Sequence, residues 1–267
     1  MLMMMQAMMG AATVPLASGP AFGPSAFVIT VRIDSDGDSF TWPHRHNKPY
    51  DVTFDWGDGT SEYITSEPSA HVYASAGDYD VVITGTCGPP RFGGKSSAQQ
   101  IIDVKQWGSL VNDGDWRDAF GGCINMAVSA TDPLTGITQM GAMFFETPNA
   151  NPDASNWDVS NCTDFYAVFA SNSFERASPF NADISGWDVS SATDMQAMFG
   201  VTTAFNADIS GWDVSSVTNM SSMFVYASAF DRDLSGWCVT NIQSEPSGFS
   251  EGGALQPQHH PVWGTCP

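Results

Sequence analysis

The sequence predicts a multidomain protein in which a small all-β sandwich is followed by a right-handed α/β solenoid. Short apolar runs that alternate with polar residues, separated by Gly, Asp and Ser, predict the sandwich. A 25-residue unit that recurs in the second half predicts the solenoid, with one coil for each unit. The expected divisions are a Met-rich docking arm or leader (1–24), the sandwich (25–86), a linker (87–100), a solenoid of roughly five to six coils (101–249) and a C-terminal cap (250–267).

The composition excludes several classes of function. The chain has 267 residues, a net charge of −20 and 42% hydrophobic residues, so it can bury folded cores and is not a disordered tail. Its acidic balance repels phosphate backbones, so we expect no nucleic-acid partner. No apolar run reaches the ~20 residues that a bilayer span needs, so we expect no membrane span. The cysteines include no C-x-x-C pair, which excludes zinc and redox motifs of that kind.

Residues 1–24 are rich in methionine, and no charged residue occurs before Arg32. We predict a docking arm, because flexible thioether side chains fill irregular grooves on a partner. The arm would bind other virion or surface proteins, or sister subunits in a homo-oligomer. The alternative is a cleaved signal peptide, although the usual positive start of such a peptide is missing. The methionines of the arm are Met1, Met3, Met4, Met5, Met8 and Met9.

Residues 25–86 contain three strand-like runs, FVITVRI, YDVTFDW and DYDVVITG. The segment DWGDGT (55–60), followed by HVYASAGDYDVVI (71–83), resembles the polycystic-kidney-disease (PKD) domain, an Ig-like sandwich. Asp58 and Gly59 suit a tight turn between two strands. The resemblance implies an extracellular or virion spacer that binds protein or glycan and has no catalytic activity.

Each repeat has two parts with different hydrophobic periods. The run DISGWDV alternates with period two and predicts a short strand. Met220, Met223 and Phe224 fall at i, i+3 and i+4, which predicts one or two helical turns. Such coils would resemble those of leucine-rich repeats, with Phe, Met and Trp in the core. Equivalent residues should then stack in columns, one of which is Phe120, Phe144, Phe169, Phe199, Phe224 and Phe249.

The unit FNADISGWDVSSVTNMSSMF (205–224) resembles the repeat of the BspA-like surface-protein family, also called the mycoplasma-lipoprotein type. The resemblance implies a non-enzymatic module for adhesion or structural display. Because the chain also begins with a Met-rich segment and shows no obvious sorting or anchoring motif, we expect a phage or viral virion subunit, such as a tail fibre, capsid fibre or decoration protein, whose solenoid recognises a host surface protein or glycan. The alternative is a secreted or cell-surface bacterial adhesin. A glycan-processing enzyme would need two carboxylates in a cleft, and regular columns of Asp provide no such cleft.

The tryptophans of the repeats allow two interpretations. Packing between coils explains their regular spacing more simply. If the indoles instead point outward, they form the binding face, a ladder on which sugar rings could stack. The residues concerned are Trp157, Trp187, Trp212 and Trp237.

Asp34, Asp36 and Asp38 alternate in the run DSDGDSF and are weak calcium candidates. The EF-hand loop requires Gly at its sixth position and Glu at its twelfth, where this chain has Ser39 and Arg45. A solvated hairpin tip is therefore the preferred interpretation, and the Asp columns of the repeats are expected to cap turns. We expect no cofactor, with calcium kept as the minor alternative.

Two cysteines lie near the C-terminal end of the predicted solenoid. Cys238 follows the last Trp of the repeats, and Cys266 lies in the terminal segment. A disulfide between them would staple the cap if the protein resides in an oxidising environment. Two free thiols are the alternative.

Overall fold

The computed structural model describes residues 22–43, 50–66, 68–109 and 114–267. Eight strands lie in these ranges: β1 (Phe27–Ile33), β2 (Ser39–Phe40), β3 (Asp51–Asp55), β4 (Ser61–Ile64), β5 (His71–Val72), β6 (Gly77–Thr86), β7 (Ile101–Gln106) and β8 (Ala127–Val128). Six of them form one sheet with the order β4-β3-β6-β1-β7-β8, while β2 and β5 form a two-stranded ribbon.

Strand β1 is central in the six-stranded sheet, with β6 and β7 paired antiparallel on its two sides. Six of its seven residues are buried, which agrees with the apolar run FVITVRI. Strand β7 also pairs in parallel with β8, which lies in the first repeat. The predicted sandwich is therefore wrong in its layout. The main sheet is mixed and continues into the repeats, and within the described ranges only the two short strands β2 and β5 form a second sheet.

The repeats lack the elements that were predicted for them. Between residues 129 and 267 the chain forms turns, isolated parallel bridges and two short 3₁₀ turns, Phe174–Arg176 and Pro257–His259. No α-helix occurs anywhere in the described ranges. The prediction of an α/β solenoid built from strand-plus-helix coils is therefore wrong.

The backbone around Ala197 shows why no helix forms. Ala197 has a φ of 54°, in the left-handed region, which interrupts a right-handed helix. The N–H groups of Ala197 and Phe199 donate to the carbonyl oxygens of Ser221 and Met223 in the next repeat, at 2.9 and 3.0 Å. These donors therefore link neighbouring repeats, whereas an α-helix would pair each with the carbonyl four residues earlier.

Equivalent residues of successive repeats do stack on one another. The ring centroids of Phe169 and Phe199 are 6.1 Å apart, and those of Phe199 and Phe224 are 5.7 Å apart. Asp164 and Asp194 are joined by one of the isolated parallel bridges. The predicted columns are thus confirmed, although turns and single bridges hold them instead of strands and helices.

The segment predicted as a linker is packed between the sheet and the first repeat. Phe92 is fully buried, and its N–H donates to the carbonyl oxygen of Ala119 at 3.0 Å. The preceding residue, Arg91, donates its N–H to Pro43 on the other side, at 3.2 Å. One hydrophobic core runs without interruption from Phe27 to Leu255. Residues 87–100 therefore join the two halves as part of that core.

The C-terminal segment closes the far end of the stack. The structure joins Cys238 to Cys266 by a disulfide bond. Trp263 packs edge-on against Phe249, the last ring of its column, with 4.9 Å between centroids. Because an unstacked repeat would expose its apolar side chains, these contacts shield the end of the core.

A column of asparagines links the repeats through side chains. The amide oxygen of Asn181 accepts the backbone N–H of Asn206, at 2.9 Å, and the amide oxygen of Asn151 accepts that of Asn181, at 3.1 Å. The column ends at Asp231, whose carboxylate accepts the backbone N–H of Gln256 in the terminal segment. Each side chain therefore satisfies a backbone donor of the next repeat.

Replacing Asn181 with Ala should lower the free energy of unfolding by about 1–2 kcal/mol, because the N–H of Asn206 would lose its acceptor. Asn181→Asp should cost less, since Asp231 fills the equivalent position and still accepts a backbone N–H. Urea unfolding of the two variants measures the difference. Equal losses for Ala and Asp would contradict a role for the side-chain oxygen.

Candidate recognition surface

The tryptophans predicted as a possible binding face lie inside the stack, where each is at most 5% exposed. The interpretation as an outward ladder of indoles is therefore wrong. Three of the indole N–H groups donate to main-chain carbonyl oxygens of the preceding repeat, and the rings of Trp187 and Trp212 are nearly parallel, at 2°. The bonds run from Trp187 to Ala154, from Trp212 to Ile184 and from Trp237 to Ile209, at 2.8, 3.1 and 3.1 Å.

The carboxylates of two of the three calcium candidates accept hydrogen bonds from the backbone. Asp38 accepts the backbone N–H of Ser35 at 3.1 Å, and Asp36 accepts that of Ala76 at 2.8 Å. Asp34 lies at the start of the same exposed tip. Throughout the four described ranges, no three His, Cys, Asp or Glu side chains form a group that could hold a metal ion.

The Asp columns of the repeats also stabilise turns. Asp208 accepts both the backbone N–H and the hydroxyl of Ser210, at 3.0 and 2.7 Å. The hydroxyl hydrogen bond, supported by the backbone one, lowers the pKa of Asp208. Asp183, Asp213 and Asp233 accept the backbone N–H two residues on in the same way.

Asp164 also holds a turn, but the pKa of its carboxyl group is shifted in the opposite direction. Its half-buried position raises the pKa of its carboxyl group, and the nearby charge of Asp194 acts in the same direction. The hydrogen bond that it accepts from the backbone N–H of Tyr166, at 2.9 Å, and the charge of Arg117 oppose the shift. Its carboxylate thus takes part in a turn like those of the other columns.

The methionines of the predicted docking arm, from Met1 to Met9, lie outside the described residues. In the part of the chain that the structure describes, no helix has the length and apolar character needed to cross a membrane.

One irregular segment interrupts the 25-residue period and carries an exposed aromatic side chain. Trp157 and Trp187 are separated by 30 residues, and the extra residues form a loop between Ser171 and Ser178. Ser173 caps the 3₁₀ turn Phe174–Arg176 by accepting the N–H of Glu175 at 3.2 Å. Phe174 is 64% exposed at this turn, although its residue type is normally buried.

The loop contacts repeats on both of its sides. Phe174 packs edge-on against Tyr226, with 5.1 Å between ring centroids, and Tyr226 is itself 39% exposed. Arg176 reaches in the other direction and pairs with Glu146 at 3.1 Å. We call Phe174, Arg176 and Tyr226 the insert ridge, because together they cross several repeats on one edge of the stack.

The backbone fixes the position of Tyr226. Its φ is 55°, and Val201 and Glu146, at the equivalent corners of earlier repeats, have φ of 59° and 56°. A Cβ atom at Gly252 would lie only 2.3 Å from the Tyr226 ring, so the absence of a side chain there makes room for the ring. The interruption of the period indicates the position of the loop, but no sequence signal singles out Phe174 or Tyr226.

A family comparison identifies the repeats. The family described as "Mycoplasma protein of unknown function, DUF285" matches residues 115–176 and 138–262, which together cover more than half of the chain. The match does not include residues 25–86, so the PKD resemblance stays a prediction. No curated protein and no solved structure matches the chain. On the strength of its repeats, the chain belongs to this Mycoplasma DUF285 family.

Proposed function

We propose that the protein is a non-enzymatic adhesion protein displayed on a cell surface, and that the insert ridge contacts its partner. The observation that carries the proposal is the exposure of Phe174 and Tyr226 on a stack whose other aromatic rings are mostly buried. Aromatic side chains are enriched among the residues that dominate binding at protein interfaces. A host surface protein or glycan is the class of partner that this surface suits.

The disulfide between Cys238 and Cys266 supports display outside the cell. Disulfides form and persist on cell surfaces and in secreted proteins, and they are rare where thiols are kept reduced. The expected virion subunit has no support from the family match, which is to a family described from a bacterium. The alternative of a bacterial cell-surface adhesin agrees better with both observations.

The exposed carboxylates of the repeat turns support a role without catalysis, and Asp164, whose pKa is raised by burial, holds a turn as they do. A general acid at neutral pH needs a raised pKa, usually in a cleft. The hydrogen bonds that Asp188 and Asp213 accept from serines instead lower the pKa of their carboxyl groups, as for Asp208. These side chains thus maintain the turns of a rigid display surface. Assembly through residues 1–24 remains part of the proposal.

Attachment of protein-coated beads to epithelial cell monolayers tests the proposal. The double variant Phe174→Ser, Tyr226→Ser should reduce attachment about tenfold, since loss of a dominant aromatic contact typically costs this much or more. Tyr63→Ser is the matched control, because Tyr63 on β4 is also 64% exposed but lies on the sheet.

The control variant should attach like the unchanged protein, and both variants should keep its melting temperature. Beads coated with the unchanged protein that do not attach would overturn the adhesion role. Equal attachment by all three proteins would show that the insert ridge takes no part in adhesion.

A further inference from the structure

A cavity of about 540 Å³ opens beside the insert ridge, between the packed segment 93–99 and the first two repeats. Its lining includes Gly93 and Gly94 from that segment and Gly121 and Gly122 from the first repeat. Arg176 of the insert ridge lies at its edge. The volume falls within the range of small-molecule sites, ~300–1,000 Å³.

Two of the glycines leave parts of the cavity wall without a side chain. Gly94 and Gly122 have φ of 72° and 74°, a left-handed conformation that favours glycine. A Cβ atom at either position would meet no atom within 4 Å, so both face open space. The backbone at Gly94 and Gly122 is therefore accessible to a ligand.

Lys95 supplies a free positive charge in this cavity. Among the Lys and Arg side chains of the described residues, Lys95 alone has neither an ion pair nor a hydrogen bond. The others are engaged: Arg32 with Asp78, Arg91 with Asp118 and the Arg117 carbonyl, Lys105 with Asp80, Arg117 with Asp115, Arg176 with Glu146, and Arg232 with the carbonyl of Asn206. A chain with a net charge of −20 thus presents one unpaired ammonium group at a concave, glycine-lined surface.

The remaining side chains suit a ligand with hydroxyl groups and one apolar face. Asp118 and Glu146 line the cavity and can accept hydrogen bonds from hydroxyls. Phe145, which is only partly buried, offers a ring face or edge for aliphatic C–H groups. A phosphate group carries more negative charge than a sugar carboxylate, so these two carboxylates would repel it more strongly.

We propose that this cavity binds an acidic sugar, a pyranose ring that carries one carboxylate. The Lys95 ammonium pairs with the carboxylate, Asp118 and Glu146 accept the sugar hydroxyls, and Phe145 packs against the ring. The inference rests on the proposed recognition role, because it names the class of surface glycan that an adhesion protein of this kind would bind beside the insert ridge.

Ligand-observed NMR titrations of the full chain with D-glucuronic acid, D-glucose and inorganic phosphate test the assignment. Glucuronate should bind at least tenfold more tightly than glucose or phosphate. Lys95→Gln should weaken glucuronate binding about tenfold, since a hydrogen bond to a charged group is lost. Lys105→Gln is the matched control, because it removes an equal charge that already pairs with Asp80 on the sheet, outside the cavity.

A second variant tests the cavity itself. Gly122→Asn places a side chain in the open space and keeps a residue that tolerates the left-handed conformation. It should weaken glucuronate binding while the melting temperature stays close to that of the unchanged protein. Glucuronate and glucose binding equally, phosphate binding more tightly than glucuronate, or a Lys95→Gln variant with unchanged affinity would each overturn the proposal.

The titrations and the bead experiment can fail separately. Glucuronate that binds through Lys95 to a protein whose beads do not attach would leave this site standing and remove the adhesion role. Beads that attach through the insert ridge, without any glucuronate binding, would leave the adhesion role standing and overturn this site.

Discussion

Replacing Trp212 with Ala is expected to lower the free energy of unfolding by about 3–5 kcal/mol, as large truncations in packed cores do. The side chain is 4% exposed, and its ring lies 6.3 Å from that of Trp187 in the preceding repeat. Its removal would leave a cavity between two repeats, and the carbonyl of Ile184 would keep only the hydrogen bond from the N–H of Trp187. Urea unfolding followed by the fluorescence of the remaining tryptophans measures the loss.

Two further variants separate packing from hydrogen bonding at this position. Trp212→Phe keeps a ring in the column but removes the indole N–H, so it should cost about 1–2 kcal/mol. Tyr63→Ala removes a ring that is 64% exposed and should change stability by no more than about 0.5 kcal/mol. If Trp212→Ala cost as little as Tyr63→Ala, the tryptophan would not be part of the core.

The stacking of the repeats could be predicted because the positions that recur every 25 residues are also the apolar positions. Side chains 25 residues apart, such as Val214 and Val239, stay apolar while the residues between them vary, and both are buried. A fixed period requires that each repeat meets its neighbours in the same way. Residues that recur with the period therefore identify the core without any knowledge of the secondary structure.

The secondary structure of the repeats could not be predicted in the same way. Met220, Met223 and Phe224 have helical spacing, but Ser222 between them has a φ of 57°. Left-handed residues are usually glycine, whereas in these repeats alanine, serine and even valine occupy such positions, so the sequence carries no turn signal. The hydrogen bonds between repeats offset the cost of this conformation, and they depend on the tertiary structure.

The start of the stack shows a second limit of sequence reasoning. Asp132 occupies the place of the tryptophan in the first repeat, and its carboxylate accepts the backbone N–H groups of Trp107 and Gly108. The Trp107 ring lies 5.4 Å from Trp157 and begins the column instead. Trp107 directly follows β7 and lies outside the repeat. Only the folded chain therefore shows that its ring takes the place of the missing tryptophan.

The insert ridge could be predicted only in part from the sequence. The 30-residue spacing from Trp157 to Trp187 indicates where the loop lies. The regular spacing of the tryptophans, however, made them the candidates for a binding face. In a repeat protein, recurrence indicates contact between neighbours, so the residues that break the period are better candidates for the surface. Phe174 is such a residue.

Reduction of the bond between Cys238 and Cys266 is expected to lower the free energy of unfolding by roughly 3.5 kcal/mol. The bridge closes a loop with a sequence separation of 28, and a loop of this size gives about that stabilisation through the entropy of the unfolded chain. The terminal segment should also detach more readily, because the bridge holds it against the last repeat. Urea unfolding with and without dithiothreitol measures the loss of stability.

The other cysteines form no disulfide, so the reductant acts on the bond between Cys238 and Cys266 alone. Cys87, Cys123 and Cys162 are free and buried, and burial raises the pKa of the Cys87 and Cys162 thiols to about 12, so these thiols stay protonated and unreactive at neutral pH. A Cys238→Ser, Cys266→Ser double variant should therefore match the reduced protein and should not respond to dithiothreitol.

Amide exchange then shows where the stability is lost. The N–H of Val239 donates to Thr265 and that of Leu234 to His259, at 2.8 Å in both cases, so these two bonds join the last repeat to the terminal segment. Both amides should exchange faster in the reduced protein, whereas the N–H of Phe199, which bonds to Met223 within the stack, should be affected less. Because repeats contact only their neighbours, loosening at the end weakens with distance along the stack. Equal exchange of Val239 in the oxidised and reduced proteins would show that the stacked side chains hold the cap without the bridge.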